Sequence, residues 1–309
     1  MTERHKALGA MVACVLFWGF SFISIKVAVA VFPPMTLGCL RFAVAALFLR
    51  IMKNRAGVVE ALRLRDIPYL AGAGFTGVTL YFFCENNGVA LVSASEASII
   101  TAVIPVLTMA AEWLRARLPG IRRGAEPERL GVPRWIGALI SAAGVWLVAG
   151  ASLSLSKNLP GYYYMAGAAL SWVAYCFLTK PLFSRCSRLH ITFWQSAAGL
   201  AGFLPFAILE YPRWERPGLP VMAHLLFLGV CCSALGYWFY ARALDVLGVS
   251  ASAVFINFIP AVTAAAGFVF LGERLSPAQW GGAALAFIGV YLAVREPRQA
   301  GGPGVRRPP

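Results

Sequence analysis

The chain has 309 residues, of which 59% are apolar and 13% charged, and its mean hydropathy is +0.71. A soluble chain averages about 45–50% apolar and about 25% charged residues, and a folded monomer exposes too much surface to hide the difference. A water-soluble fold, a disordered chain and a disulfide scaffold are excluded, so part of the solvent is lipid. The meaning of the net charge of +14 depends on where the basic residues lie.

A helix crossing a hydrocarbon layer of ~30 Å needs about 20 mostly apolar residues. In chain order such segments fall at 7–30, 36–52, 68–88, 94–112, 133–150, 161–180, 190–209, 221–241, 249–271 and 277–294. The alternating polarity of a membrane barrel is absent, so all ten are read as helices. The basic start through Lys6 imitates a signal peptide, but the apolar run to Val31 is too long for one and more such runs follow. The seven cysteines form no C-x-x-C pair and lie mostly in apolar runs, where they read as small buried hydrophobes. Residues 297–309, rich in Gly, Pro and Arg, read as a disordered tail.

Basic residues orient the spans. With a cytoplasmic N-terminus, 21 of the 27 Lys and Arg fall on the inside; only Lys157, Arg213, Arg216 and Arg274 fall outside, and Lys26 and Arg41 lie within spans. Both termini are therefore expected in the cytoplasm of a multi-pass inner- or plasma-membrane protein. The surplus charge faces anionic lipid. No basic face on a soluble domain is left to bind nucleic acid.

The two halves repeat each other. Trp18 and Lys26 match Trp172 and Lys180 at an offset of 154, as Arg41 matches Gln195. Ser95 and Pro105 match Ser250 and Pro260 at 155. Glu128-Arg-Leu, Trp135, Gly137 and Gly144 match Glu273-Arg-Leu, Trp280, Gly282 and Gly289 at 145. The drop in offset places a ten-residue insertion in the first half, near 115–127, in a basic loop where added length costs little. Each repeat, 7–150 and 161–294, holds five spans. An odd number makes the second copy enter from the opposite side, the arrangement used for alternating access.

With these motifs in this order the chain resembles the EamA family of the drug/metabolite transporter superfamily. The resemblance rests on Trp18-Gly19…Lys26, Arg41-Phe42, Ser-Ala-Ser at 93–95 and 250–252, the prolines of the fourth and ninth spans, and Leu271-Gly272-Glu273-Arg274-Leu275 before Trp280, over residues 7–294. It implies ten helices, a central cavity between the repeats, and export or exchange of small metabolites. The first half departs from its partner by lacking Leu-Gly before Glu128.

No lysine is followed by Ser or Thr, so the phosphate loop of an ATP-driven pump is absent. Gly72-Ala-Gly74-Phe-Thr-Gly77 fits a dinucleotide pattern but lies inside a span with no preceding strand. Close helix packing is the better account. Three separated histidines with no H-E-x-x-H give no metal centre. No catalytic residue and no cofactor are expected.

Ionisable residues inside spans are the informative ones, because charge at the bilayer centre costs ~2.5–3.5 kcal/mol on insertion scales. Lys26, Arg41, Glu85 and Glu96 share the outer half of the membrane. Lys26 either gates the cavity or snorkels to the interface. Arg41 lies deeper and points inward. Glu85 is the candidate proton-titrating group, with a water-facing helix end as the other reading, and Glu96 either belongs to this charged layer or simply caps a helix start. The second half has Gln195 at the position of Arg41 and no acid matching Glu85, so the repeats differ electrostatically. Trp18, Phe20, Tyr81, Trp172, Tyr175 and Trp238 are candidate cavity aromatics for planar or cationic solutes. Asn257 is cavity polar group or helix glue, and Pro105 and Pro260 are candidate hinges.

The function expected is a gradient-driven secondary transporter for a small organic metabolite, amino-acid-like or amphipathic, with the proton as a candidate coupling ion. An uncoupled facilitator and a non-transporting membrane scaffold or enzyme are the alternatives. The charge count makes one direct prediction. Fluorescent-protein fusions at residues 1 and 309 both fluoresce in the cytoplasm, and alkaline phosphatase fused at either end is inactive.

Overall fold

A computed structural model of the chain describes residues 2–117, 132–152, 159–272, 274 and 276–294. The insertion from 118 onward, Glu128, Glu273, Leu275 and the tail at 297–309 lie outside the described residues. The described elements are all helical.

Helix α1 (Glu3–Ala28) starts where the Thr2 side chain accepts from the His5 backbone N–H. Helix α2 (Pro34–Arg55) opens on a proline whose fixed φ suits the first turn. The third apolar segment is α3 (Ile67–Gly74) and α4 (Tyr81–Leu91), joined without a stop by a π-helical stretch at Phe75–Leu80. Helix α5 (Ala94–Thr101) begins on a capping box, in which Ser93 accepts from Glu96 N–H while the Glu96 carboxylate accepts from Ser93 N–H. Helices α6 (Ile104–Arg117), α7 (Val132–Ser152) and α8 (Leu159–Thr179) complete the first half and open the second.

Helix α9 (Arg188–Leu209) starts at a Ser187 cap. Helices α10 (Leu219–Phe227) and α11 (Gly236–Leu247) are joined by a second π-helical stretch, Leu228–Leu235. Helices α12 (Val249–Ile256), α13 (Ile259–Leu271) and α14 (Pro277–Val294) finish the chain. Gly272 closes α13 in the left-handed conformation, at φ 68°.

The irregularities recur in register. The two π-helical stretches occupy matching places in the two halves. So do the breaks between α5 and α6 and between α12 and α13, two or three residues before Pro105 and Pro260. Each proline lacks an N–H and crowds the carbonyl four residues back. The chain responds with tight bonds at the break, Val103 N–H to Ile100 O and Phe258 N–H to Phe255 O.

Among the described residues, six stretches are long and apolar enough to cross a membrane: Glu3–Ala28, Pro34–Arg55, Ile67–Leu91, Ala94–Arg115, Arg188–Leu209 and Leu219–Leu247. The other four expected segments fall on helices as well, α7, α8, the broken pair α12–α13, and α14. The outer face is apolar, with Leu16, Leu47, Leu170, Ile208 and Phe268 exposed. Such a surface needs a nonpolar solvent.

Packing pairs like with like. Helix α2 runs along α9, and α7 along α14, each pairing an element with its counterpart in the other half. Helix α1 packs on α11 and α13, just as α8 packs on α4 and α6. The α7–α14 contact is backbone on backbone. A Cβ on Gly144 would lie 2.4 Å from Ala286 N, and one on Gly289 2.2 Å from Ser141 N. Small residues let helices approach this closely where lipid offers no hydrophobic drive to associate. Gly289→Val therefore overpacks the seam, and its thermal unfolding in detergent should show a loss of ~1–3 kcal/mol.

Candidate functional site

The centre of the bundle is where α1, α4, α8 and α11 meet, two matched pairs of elements. Trp18 of α1 and its counterpart Trp172 of α8 touch edge to face, with ring centroids 5.2 Å apart. Tyr81 packs on Trp172 at 5.1 Å, Tyr237 on Trp18 at 5.9 Å, and Tyr240 on both tryptophans at 5.2 Å. Glycine makes room for these rings. A Cβ on Gly77 would lie 2.2 Å from the Tyr175 ring, and one on Gly236 2.7 Å from Trp18 Nε1.

The π-helical stretches supply carbonyls to the same cluster. Trp18 Nε1 donates to Cys232 O at 2.9 Å, the Tyr237 hydroxyl to Gly77 O, and the Ser171 hydroxyl to Thr76 O. π-helical turns are rare and concentrate at functional sites. Here they turn backbone acceptors toward polar side chains on facing helices.

One ion pair lies among these rings. Arg41 Nη1 stands 3.9 Å from Glu85 Oε2, and the side chains are 1% and 4% exposed. Arg41 Nε donates to the Ser233 hydroxyl, and its guanidinium carbon lies 4.0 Å from the centroid of the Phe82 ring. Glu85 Oε1 accepts from the Tyr81 hydroxyl at 2.8 Å. Arg41, Glu85, Trp18, Tyr81, Trp172 and Tyr237 line one cavity together with Phe82, Ser21, Phe22, Thr101, Ile104, Ile256 and Ile259. Its free space is about 20 Å³, room for about one water molecule. Residues on either side of both proline breaks contribute to the wall.

Other residues expected at the site lie elsewhere. Lys26 donates to Val89 O at 2.8 Å and Val92 O at 2.7 Å, tying down the C-terminal carbonyls of α4. Phe20 is 40% exposed on the outer face of α1, beside Phe270. Trp238 is half-buried against Phe239, outside the cavity. Tyr175 is buried behind Trp172, at 4.8 Å. Gln195 donates to Thr179 Oγ1 at 2.8 Å, bracing α9 on α8. Asn257 donates to Ser141 Oγ at 3.0 Å, joining the α12–α13 break to α7. Glu96 caps α5 and accepts from the Tyr162 hydroxyl at 3.1 Å.

Sequence reasoning misses Ser233, the partner of Arg41. Ser233 interrupts an apolar run, one helical turn before the candidate aromatic Tyr237. That spacing is the available signal.

Polar locks hold both ends of the bundle. At the end bearing the α1 N-terminus, Arg242 meets Glu3 at 2.7 Å, Arg188 meets Asp245 at 2.6 Å, and Arg185 meets Asp66 at 3.1 Å. Glu60, Cys186 and His190 bring ligand-type atoms within 4.8 Å of one another there. Lys53 Nζ lies 3.1 Å from His190 Nδ1, beside this group. At the other end the Glu210 carboxylate accepts from Thr36 N–H at 2.7 Å and Met35 N–H at 3.3 Å. It satisfies open donors at the start of α2.

The sequence pattern of the EamA-like transporter family matches residues 5–150 and again 159–295. The chain belongs to that family. It is 29% identical over 308 residues to a Streptantibioticus cattleyicolor protein named "Probable terminal-alkyne amino-acid exporter", covering 98% of this chain and all of that one. It is 27% identical over 286 residues to an uncharacterized transporter of Archaeoglobus fulgidus, covering 91% and 96%. A crystal structure at 19% identity superposes with a TM-score of 0.71 over 96% of this chain and 99% of the other, which is a likeness of fold. As an EamA-like family member, the chain is a multi-pass membrane transporter.

The placement of Lys26 gives a test. Lys26→Met removes charge-assisted bonds to the end of α4, each worth ~1.5–3 kcal/mol net. It should lower the unfolding midpoint while leaving the solute preference of the remaining folded protein unchanged.

Proposed function

We propose that the chain is a ten-helix carrier of two inverted five-helix repeats, 7–150 and 161–294, with both termini in the cytoplasm of the cell membrane. It moves a small amino-acid-like or amphipathic solute outward by alternating access. The reading is carried by one observation: the aromatic cluster and its buried ion pair lie where matched elements of the two halves meet. A site on such a seam is exposed to one side or the other as the halves exchange conformations. The paired breaks at Pro105 and Pro260 border the cavity and supply places for that bending. The amino-acid exporter among the similar proteins supports the solute class.

A solute or ion gradient drives transport. Among the described residues, Glu85 is the one carboxylate lining the cavity, and it is the group through which a proton would be coupled. No catalytic step and no cofactor enter this reading.

Counterflow in proteoliposomes tests it. Labelled apolar amino acid should accumulate against an unlabelled internal pool, with an initial rate that saturates. Trp18→Ala together with Trp172→Ala should lower that rate at least about tenfold, the loss of ~1.5 kcal/mol or more of aromatic contact. Flux that stays linear in solute concentration, with no counterflow, identifies a facilitator instead.

A further inference from the structure

Arg41 and Glu85 are only half satisfied. Arg41 Nε is held by Ser233 and Glu85 Oε1 by Tyr81. The two atoms that face each other, Arg41 Nη1 and Glu85 Oε2, have no hydrogen-bond partner, because 3.9 Å is too long for a bond between them. Both line the cavity. A buried charged donor or acceptor left open is costly, so the site offers one strong donor and one strong acceptor to whatever enters.

We propose that Arg41 and Glu85 form the two poles of a zwitterion clamp, with the solute carboxylate on Arg41 Nη1, its ammonium on Glu85 Oε2, and its apolar part against Trp18, Tyr81, Trp172 and Tyr237. The inference rests on the carrier reading above and names what the carrier recognises. A solute bearing both charges keeps the buried charge at zero. A solute bearing one of them adds an unpaired charge in a dry, aromatic-walled space, which is strongly unfavourable. The guanidinium suits a planar carboxylate better than an ammonium does. The counterparts of Arg41 and Glu85 in the second half are Gln195 and Tyr240, both uncharged. The clamp is therefore single, and one solute binds per chain.

Equilibrium binding to the full-length protein in nanodiscs at pH 7 tests the clamp with three probes of one shape: L-phenylalanine, phenethylamine and 3-phenylpropionate. The wild type should bind L-phenylalanine about 10–100-fold tighter than either single-charge probe, at one per chain. Arg41→Gln should reverse the order in favour of phenethylamine, and Glu85→Gln in favour of 3-phenylpropionate. Arg41→Lys, which keeps the charge, should keep L-phenylalanine first and so separates recognition from a folding defect.

Equal affinity of the wild type for the three probes overturns the clamp, as does failure of L-phenylalanine to bind, or parallel losses for all probes in both glutamine variants. Counterflow of labelled amino acids by the same wild-type preparation separates the two claims. Exchange without the reversal removes the clamp and leaves the carrier, whereas no exchange of any amino acid removes both.

Discussion

A guanidinium and a carboxylate buried together in an aromatic box constrain the rest of this protein. Neither charge could remain at the centre of a lipid-embedded bundle alone, since removing one partner of a buried pair leaves a charge costing ~3–5 kcal/mol. The surrounding structure reads as the means of holding both. Ser233 and Tyr81 fix one atom of each. Phe82 covers the guanidinium face. Glycines at 77 and 236 let Tyr175 and Trp18 come close enough to shut out solvent. The pair is nevertheless left open on the side facing the cavity, the feature on which the proposed clamp rests.

The backbone obeys the same rule of satisfaction in a dry medium. Where the helices depart from α geometry, side chains meet the carbonyls: Trp18 at Cys232, Tyr237 at Gly77, Ser171 at Thr76. Irregular backbone at membrane depth is tolerated only where protein or a cavity surrounds it. The π-helical stretches and proline breaks lie around the cavity, so the same irregularities that shape the site also make its walls less uniform than straight helices. The seams far from it, such as α7 on α14, are regular and close.

The sequence made much of this legible. Apolar runs of membrane length and their basic flanks mark the spans, and the recurrence of Trp, Pro and Glu-Arg-Leu in order marks the repeat. The shared depth of Arg41 and Glu85 already placed them in one layer. Facing could not be read. These helices carry apolar residues all round, so no stripe tells which side looks inward. Tyr237 and Trp238 are neighbours in sequence, yet only the first reaches the cavity. Lys26 has the right depth, but its reach takes it to the carbonyls ending α4. Gln195 matches Arg41 in register and turns instead to Thr179, where its amide nitrogen donates to the hydroxyl.

The most direct measurement of the central claim is a double-mutant cycle on stability, by reversible unfolding in mixed micelles of Arg41→Gln, Glu85→Gln and the two combined. If the pair is the buried electrostatic element described, each single change strands a charge and destabilises strongly. The double change then recovers most of the loss, with a coupling of ~2 kcal/mol or more. Additive effects of the two changes would show that the charges do not depend on each other, and would contradict the account.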